Sequence, residues 1–382
     1  MSRILITYEK KDNTVDVILN SFSRLFLEMG LDYRIAKSSK VNDNDLRWCD
    51  VCFSIRPNSL YSQEIAEAAD KNGIFYLASF DDDLLNLPKK RPDYWKRKYS
   101  ISCLKRARAI ISSSPLILED YSSYCYNAKL LLLNAFVEES DIRSIHNIED
   151  PIRIVYPAGK DHLPQFNQFI KPIISDLFNQ FSGRIDMTFI GIEPDINDFK
   201  YKDSVHFVKQ MSYEKYKQYM QTHDFDIGIA PLSKTSFNER KYFVKYIEYS
   251  KYGILGLYSD TYPYKYVVDN NENGILVPDS PDAWKNAIVR VMNDHSIITD
   301  IVKRSQAHLR EHFTIQSEAL KILSICPEIK SYSKSIIHKK KYNKPIISTL
   351  LYIFSDFVRK VIYHLRWDGV KYIVEFLRNK NC

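Results

Sequence analysis

Short apolar runs alternate with amphipathic segments through most of the chain. Near the start, the run ILIT is typical of a buried strand, and residues 14–29 repeat apolar side chains with helical periodicity up to Gly30. The alternation continues through apolar runs at DVCFSI and IFYLASF and begins again at IRIVYP. Alternating strands and helices predict parallel sheets with helices on both faces, which is an α/β fold.

The alternation is interrupted by a polar segment over residues 138–150. A chain of 382 residues also exceeds one ordinary hydrophobic core. We therefore predict two Rossmann-like domains, over residues 1–149 and 150–312. The first strand is not followed by a G-x-G-x-x-G turn, so we do not expect a nicotinamide cofactor in the first domain.

Positive charge is concentrated at the end of the chain. Residues 328–382 contain 12 Lys and Arg against 4 Asp and Glu, a net charge of +8, whereas the remainder carries −1. In this basic tail, apolar segments alternate with Lys and Arg, a composition that suits an amphipathic helix in an anionic membrane surface. The alternative is a helical hairpin packed on the body or on a partner. Nucleic acid is disfavoured, because the neutral body lacks a basic groove.

The sequence also gives an expectation for location. The start MSRILITYEK lacks the cationic segment and long apolar run of a secretory signal. No uninterrupted apolar stretch approaches the roughly 20 residues that span a bilayer. We therefore expect a cytoplasmic protein, held peripherally at the inner face of the plasma membrane through residues 331–380.

The strand DIGIAPL precedes the most informative helix. This helix is predicted to begin near Asn238 and to end at Gly253, where glycine tolerates a left-handed turn. At about 100° per residue, Lys241, Lys245 and Glu248 would lie on one stripe of the helix. Two lysines at a helix start suit a pyrophosphate, and a glutamate suits a sugar hydroxyl. The alternative is a solvated helix face with weak ion pairs.

Polar residues also follow two strands of the first domain. Arg56 follows DVCFSI, and Asp81, Asp82 and Asp83 follow IFYLASF. Adjacent carboxylates repel one another, so they need a cation, a hydrogen-bonding ligand or free water. One interpretation is a site where a carboxylate binds or deprotonates a substrate hydroxyl. The other is an exposed acidic turn that caps the next helix.

A longer pattern runs from the DIGIAPL helix into the loops beyond the next strand, ILGLYS. Its residues are Lys241, Lys245, Glu248, Tyr249, Gly253, Ser259, Asp260, Pro263, Tyr264, Asn273 and Gly274. Together they resemble the donor half of GT-B glycosyltransferases, above all the retaining family-four (group 1) bacterial type. The resemblance covers residues 152–325 well and the first half loosely. It implies a nucleotide-sugar donor and a helix over residues 313–327 that crosses back to the first domain.

The resemblance also implies roles for individual residues. Glu248 would contact the donor ribose, and the residues after ILGLYS would meet the phosphates and the sugar. The donor-binding candidates are therefore Gly159, Lys160, Asn238, Lys241, Lys245, Glu248, Ser259, Asp260, Pro263 and Tyr264. Gly159 lies at a strand-to-helix turn that allows close approach to phosphate. The family's usual phosphate-binding pair is missing, so Lys160 and the two helix lysines are expected to replace it.

The function implied is transfer of a sugar from a nucleotide donor to a cell-surface saccharide or lipid-linked acceptor, retaining and without a metal or other cofactor. Lys241 would stabilise the departing nucleoside diphosphate, and Asp82 and Asp83 would act at the acceptor hydroxyl, with Arg56 and Asp81 beside them.

Two alternatives remain open at this stage. Asp81 and Asp83 also fit the Asp-x-Asp metal site of the other transferase fold, GT-A. Arg240 stands where the family usually has a glutamate, which leaves room for a non-catalytic GT-B partner subunit.

Overall fold

The computed structural model describes residues 1–87, 93–159, 162–196, 200–334, 341–342 and 346–367. The chain forms two compact units. Unit 1 contains residues 1–133 and the chain from Ala319 onward, and unit 2 contains Asn134–Glu318. The first division therefore falls before the predicted domain boundary at residues 149 and 150. The last helix of unit 2 continues into unit 1.

Unit 1 is built on a six-stranded parallel sheet with the order β2-β1-β3-β4-β5-β6. Its strands are β1 (Arg3–Tyr8), β2 (Asp32–Lys37), β3 (Val51–Ile55), β4 (Phe75–Phe80), β5 (Ala109–Ser112) and β6 (Lys129–Leu132). Its helices, numbered in chain order with those of unit 2, are α1 (Asn13–Glu28), α2 (Asp43–Trp48), α3 (Leu60–Lys71), α4 (Arg97–Leu104), α5 (Pro115–Ser122), α14 (Glu328–Ser331) and α15 (Ile346–Trp367). The predicted first helix is confirmed.

Unit 2 has a second six-stranded parallel sheet, with the order β12-β11-β10-β7-β8-β9. The strands are β7 (Ile152–Pro157), β8 (Ile185–Ile190), β9 (Val205–Val208), β10 (Ile227–Ala230), β11 (Leu255–Ser259) and β12 (Ile275–Val277). The helices are α6 (Leu163–Gln165), which runs through a π-helical turn into α7 (Lys171–Gln180), then α8 (Tyr213–Thr222), α9 (Ser236–Glu239), α10 (Val244–Lys251), α11 (Pro281–Asn293), α12 (Ser296–His312) and α13 (Ile315–Ile325).

The strand orders confirm the predicted α/β class and locate the ligand-binding edges. In unit 2 the order is that of dinucleotide-binding Rossmann folds, 3-2-1-4-5-6, and it reverses between β7 and β10. In unit 1 it reverses between β1 and β3. Ligands of open parallel sheets bind outside the carboxyl ends of the strands at such a reversal. In each unit, the loops that follow these strands are therefore the expected place for a ligand.

The helix predicted from Asn238 to Gly253 is in fact two helices. A non-helical segment over residues 240–243 separates α9 from α10. Within it the side chain of Phe243 is buried, and the Tyr242 hydroxyl accepts a hydrogen bond from the backbone N–H of Ala135 at 2.8 Å. Both aromatic rings turn toward the interior, so packing breaks the helix. The predicted end is confirmed, because Gly253 has a φ of +74°.

In the described part of the basic tail, residues 328–331 and 346–367 are helical, whereas residues 332–334 and 341–342 are not. Helix α15 has 22 residues and packs on unit 1. In the described part of the chain, no helix is both long and apolar enough to cross a bilayer.

Candidate functional site

The turn after β7 lies at the strand reversal of unit 2. The backbone N–H of His162 donates to the carbonyl of Gly159 at 3.0 Å, which closes the predicted strand-to-helix turn. Nearby, Gly191 follows β8 with a φ of +87°, and a Cβ there would lie 2.7 Å from the carbonyl oxygen of Ala158. Only glycine allows this approach of the two loops. Lys160, predicted to bind phosphate, is outside the described residues.

The loop after β10 is shaped by Asn238. Its side-chain amide donates to the carbonyl of Ser233 at 2.8 Å, and its backbone N–H donates to Thr235 Oγ1 at 3.2 Å. Lys241 follows in the break between α9 and α10, with its Nζ 5.8 Å from the ring centroid of Phe237. Because the helix is interrupted, the predicted single stripe of Lys241, Lys245 and Glu248 does not exist. Asn238 orders the loop in which Lys241 lies.

Lys245 and Glu248 form the polar centre of this edge together with Tyr216 of α8. Lys245 Nζ lies 2.7 Å from Glu248 Oε2, and the Tyr216 hydroxyl donates to the same oxygen at 3.1 Å. The Glu248 side chain is only 8% exposed. The two helix residues are therefore paired as the alternative interpretation expected, but the Glu248 carboxylate is buried and Lys245 is half-buried, so the pair is not a solvated one. Burial, reinforced by the Glu248 charge, raises the pKa of Tyr216 well above its usual value, so its hydroxyl stays a proton donor.

One glycine–tyrosine contact fixes α10 against the sheet, and a second lies within β11. A Cβ on Gly228 of β10 would lie 2.6 Å from the ring of Tyr249, whose hydroxyl donates to the carbonyl of Ile229 at 2.9 Å. A Cβ on Gly256 of β11 would lie 1.9 Å from the Tyr258 hydroxyl. The tyrosine rings thus occupy the space that a side chain at either glycine position would need. The contact of Tyr249 with β10 thus holds the helix that carries Glu248 against the sheet.

The loop after β11 contains the remaining donor-site candidates. The Ser259 hydroxyl accepts from the backbone N–H of Leu232 at 2.7 Å, which ties the ends of β10 and β11 together. Asp260 lies 3.3 Å from Lys265 Nζ at the surface. Tyr264, which follows Pro263, is buried with its ring centroid 4.8 Å from that of Tyr258. Ser259 and Tyr264 therefore build the loop, whereas Asp260 is accessible.

Thr261 is the unexpected member of this loop. Its side chain is 5% exposed, and its Oγ1 has no hydrogen-bond partner among the described residues. Buried hydroxyls are normally hydrogen-bonded, so such a group deserves an explanation. A ligand oxygen at the carboxyl end of β11 would provide the missing partner.

In unit 1, Arg56 forms ion pairs with two of the three predicted carboxylates. Its guanidinium binds Asp81 through both Nε, at 2.5 Å, and Nη2, and the same Nη2 lies 2.9 Å from Asp82 Oδ2. Asp12, which follows β1, is 3.9 Å away. Burial opposes the charge on Arg56, but the hydrogen bond and attraction of Asp81 prevail and raise its pKa. The cluster lies at the strand reversal of unit 1.

Asp83 points the other way, into the interior. It is 1% exposed, and it accepts hydrogen bonds from the Tyr121 hydroxyl at 3.0 Å and from the side-chain amide of Asn86 at 3.0 Å. These contacts hold the loop after β4. Asp82, with a side chain 38% exposed, is the most accessible of the three carboxylates. The acidic run is therefore neither a free turn nor a single cluster.

Comparison with known proteins is informative at the level of the fold. No protein-family model matches the sequence, and no curated protein matches it in a sequence search. HepE from Anabaena, solved in complex with UDP and glucose, is 13% identical over 85% of this chain and 99% of its own, with a TM-score of 0.58. Sucrose-phosphate synthase from Thermosynechococcus elongatus is 12% identical over 87% and 100%, with a TM-score of 0.59.

A third similar structure is described as a UDP-N-acetylglucosamine 2-epimerase from Listeria monocytogenes. It is 9% identical over 90% of this chain and 99% of its own, with a TM-score of 0.55. At such identities the likeness concerns the fold alone. It confirms the GT-B arrangement of two Rossmann-like domains that the sequence predicted.

This fold excludes the GT-A alternative. The two carboxylates that a GT-A metal would need also face different partners, since Asp81 binds Arg56 and Asp83 binds Tyr121. Among the residues that the structure describes, no group of three His, Cys, Asp or Glu side chains is placed to hold a metal ion.

The sequence missed three residues of these edges: Tyr216, Thr261 and Gly191. Tyr216 lies in a different helix from Glu248, and the spacing along α10 cannot reveal it. Thr261 adjoins the predicted pair Ser259 and Asp260, so the loop was identified but not this hydroxyl. A glycine directly after a strand was a usable signal for Gly191.

Proposed function

We propose that this protein is a glycosyltransferase that moves a sugar from a nucleotide-sugar donor bound by unit 2 to a saccharide or lipid-linked acceptor. The observation that carries the proposal is the buried Glu248 carboxylate, held by Lys245 and Tyr216 at the ligand-binding edge of a Rossmann-like sheet. A buried charged group costs free energy unless it is paired. An ordered carboxylate at such an edge suits the two hydroxyls of a ribose.

The donor phosphates would meet the positive groups of the same edge. Lys241 lies in the loop after β10, and Lys245 lies at the start of α10. The Gly159 turn leaves room for a phosphate, and Lys160 is a further candidate. When the glycosidic bond breaks, negative charge grows on the departing nucleoside diphosphate. The lysines then stabilise the transition state more than the bound donor, which accelerates the reaction.

The sugar and the acceptor would use the remaining candidates. Asp260 and the Thr261 hydroxyl are available after β11 to bind the donor sugar. In unit 1, Arg56 orients Asp82, which can accept a hydrogen bond from an acceptor hydroxyl. Asp83 would act through the loop that it holds, as a positioning residue. Retention of configuration and independence of metal are proposed from the resemblance to family-four enzymes.

We also propose that the enzyme works in the cytoplasm, at the inner face of the plasma membrane. The support is the +8 charge of residues 328–382 and the amphipathic character of the tail.

Release of nucleoside diphosphate from a panel of nucleotide sugars tests the catalytic proposal. Transferases hydrolyse their donors slowly when water replaces the acceptor, so we expect release from one nucleotide class, unchanged by EDTA. Glu248→Gln should slow release at least tenfold, about 1.4 kcal/mol in the barrier. Asp176→Asn, an exposed acid of unit 2, is the matched control. Release that EDTA abolishes would contradict metal independence.

The partner-subunit alternative depends on Arg240. Arg240, at the position of the expected glutamate, donates to the carbonyl and Oγ of Ser236 at 2.9 and 2.8 Å. A subunit without donor binding would neither release nor bind nucleotide, which separates it from the enzyme.

A further inference from the structure

Helix α15 presents its apolar side to solvent. The residues on this side recur at spacings of three and four between residues 346 and 354, and the row resumes at residues 362 and 365. Their large side chains are half exposed or more. They are Ile346, Ile347, Leu350, Leu351, Ile353, Phe354, Ile362 and Leu365. We call this row the outer stripe of α15. A contiguous apolar surface of this kind marks an interaction site rather than an ordinary protein surface.

The opposite side of α15 is polar and aromatic, and it packs on unit 1. The ring of Tyr352 contacts the rings of Tyr61, Trp95 and Tyr99, with centroids 5.5 to 5.7 Å apart. Asp356 Oδ1 lies 3.2 Å from Lys96 Nζ. A helix that uses its polar side for packing cannot bury its apolar side in the same body. Among the residues that the structure describes, none therefore covers the outer stripe.

The contacts of α15 place it at the carboxyl edge of the unit 1 sheet. Tyr61 lies in the first turn of α3, which follows β3, and Trp95 precedes α4, which follows β4. Arg56 and Asp81 lie in the loops between these same strands and helices. The helix and the proposed acceptor-binding residues thus share one edge of one sheet.

We propose that the outer stripe of α15 binds an anionic lipid leaflet and so holds the carboxyl edge of unit 1 against it. The acceptor would then reach Asp82 as an amphiphile held in that leaflet. The statement about the leaflet is independent of the enzymatic activity, whereas the statement about the acceptor rests on the proposed function. With Asp356 and Tyr352 held by unit 1, the helix lies in the plane of the interface and does not span it.

Charge favours a leaflet over a second copy of the chain. The outer stripe contains no charged residue, and the tail to which it belongs carries +8. Two such tails would repel each other in a dimer, whereas anionic lipid attracts each of them. Apolar contact and charge therefore act together only at a lipid surface.

Sedimentation of the full chain with vesicles tests whether the outer stripe binds lipid. We expect binding to phosphatidylglycerol-containing vesicles that weakens with salt, and little binding to phosphatidylcholine alone. Leu350→Glu should weaken the binding at least tenfold. The matched control is Leu27→Glu, because both leucines are 62% exposed and Leu27 lies at the end of α1, near the opposite edge of the sheet. Equal binding of the two variants, or no binding by the wild type, would overturn the proposal that the outer stripe binds a lipid leaflet.

The oligomeric state and hydrogen exchange distinguish a lipid leaflet from a second copy of the chain and test the placement of the acceptor edge. If the wild type is a dimer in solution and Leu350→Glu is a monomer, the stripe binds a second copy and the leaflet proposal is wrong. Hydrogen exchange with vesicles should slow in residues 346–367 and in the loops at 56–59 and 81–87. Slowing in α15 alone would overturn the placement of the acceptor edge. Nucleotide binding, measured on the same samples, reports separately on the proposed function.

Discussion

Glu248 is the residue on which the donor-site account depends. Removing a carboxylate from water is costly unless hydrogen-bond donors replace the water. Lys245 supplies a charge and Tyr216 supplies a neutral hydroxyl, both directed to the same carboxylate oxygen. Glu248 Oε1 is not engaged by either of them. A buried, oriented carboxylate of this kind is prepared to accept hydrogen bonds from a ligand.

Tyr216→Phe tests whether the tyrosine positions Glu248 for a ligand. The change removes a hydrogen bond to a charged group, so it should cost about 1.5–3 kcal/mol of stability. It should also weaken nucleoside diphosphate binding several-fold, because Glu248 loses its orientation. Tyr219→Phe is the control on the same helix, where the ring stacks on His223. Titration calorimetry measures the affinity, and unchanged affinity in a destabilised Tyr216→Phe variant would mean that the tyrosine is only structural.

Spacing along the chain identified Lys245 and Glu248 but could not show their environment. They are three residues apart on α10, and this separation alone is equally compatible with a solvated ion pair. The outcome is decided by Tyr216, which comes from another helix. In the same way, the sequence identified Asp81, Asp82 and Asp83 as a set. The structure divides them, because Arg56 and Tyr121 approach from opposite sides.

At the scale of elements, a buried carboxylate joins two strands of unit 2. Asp226 immediately precedes β10, and its side chain is fully buried. It accepts from the backbone N–H of Arg153 in β7 at 2.7 Å and from the guanidinium Nε at 3.0 Å. His146 Nε2 lies 2.7 Å from its other oxygen. The contacts align the amino ends of the two strands between which the sheet order reverses.

This carboxylate gives unit 2 a dependence on pH. Burial raises the pKa of Asp226, but hydrogen bonds from His146 and Arg153 outweigh burial, and the net pKa is lowered. A lowered pKa contributes stability above the unfolded value of about 3.9, and this contribution is lost as pH falls through the folded value. The free energy of unfolding should therefore decrease below about pH 4.

Asp226→Asn should remove much of that decrease and destabilise the protein by about 1–3 kcal/mol at neutral pH, because Arg153 and His146 lose a charged acceptor. Arg153 keeps a second carboxylate, that of Asp224, at 3.4 Å. Urea unfolding between pH 3 and pH 7 measures both effects. Asp176→Asn, an exposed acid, should keep the wild-type profile. An Asp226→Asn profile parallel to the wild type would contradict this assignment.

Helix ends were easier to predict than helix continuity. Gly253 ends α10 as expected, since the left-handed turn is a local property of glycine. The break at residues 240–243 depends on where Tyr242 and Phe243 find partners, and these partners are distant in sequence. The tail shows the same distinction. Its amphipathic pattern was visible, but only the structure shows that the polar side is the one that packs.

For the whole molecule, the order of strands and helices was enough to predict two Rossmann-like domains. Strand patterns and helix patterns alternate many times along the chain, so an error in one element does not change the predicted fold class. Unit 2 was predicted in more detail than unit 1 because its sequence resembles a known family. Comparison with solved structures extends the likeness to most of the chain, but at 12–13% identity it fixes the fold and not the reaction.

Ligand-induced thermal stabilisation is the most direct test of the donor site. The wild type would be heated with each of several nucleoside diphosphates, with and without EDTA. A ligand at 100 times its dissociation constant stabilises a protein by about 2.7 kcal/mol, which is readily detected. We predict stabilisation by one nucleotide class, unchanged by EDTA and lost in Lys245→Ala, but retained in Lys285→Ala, which breaks a salt bridge elsewhere in unit 2. No stabilisation by any nucleotide, or equal stabilisation of both variants, would contradict the assignment of the donor site.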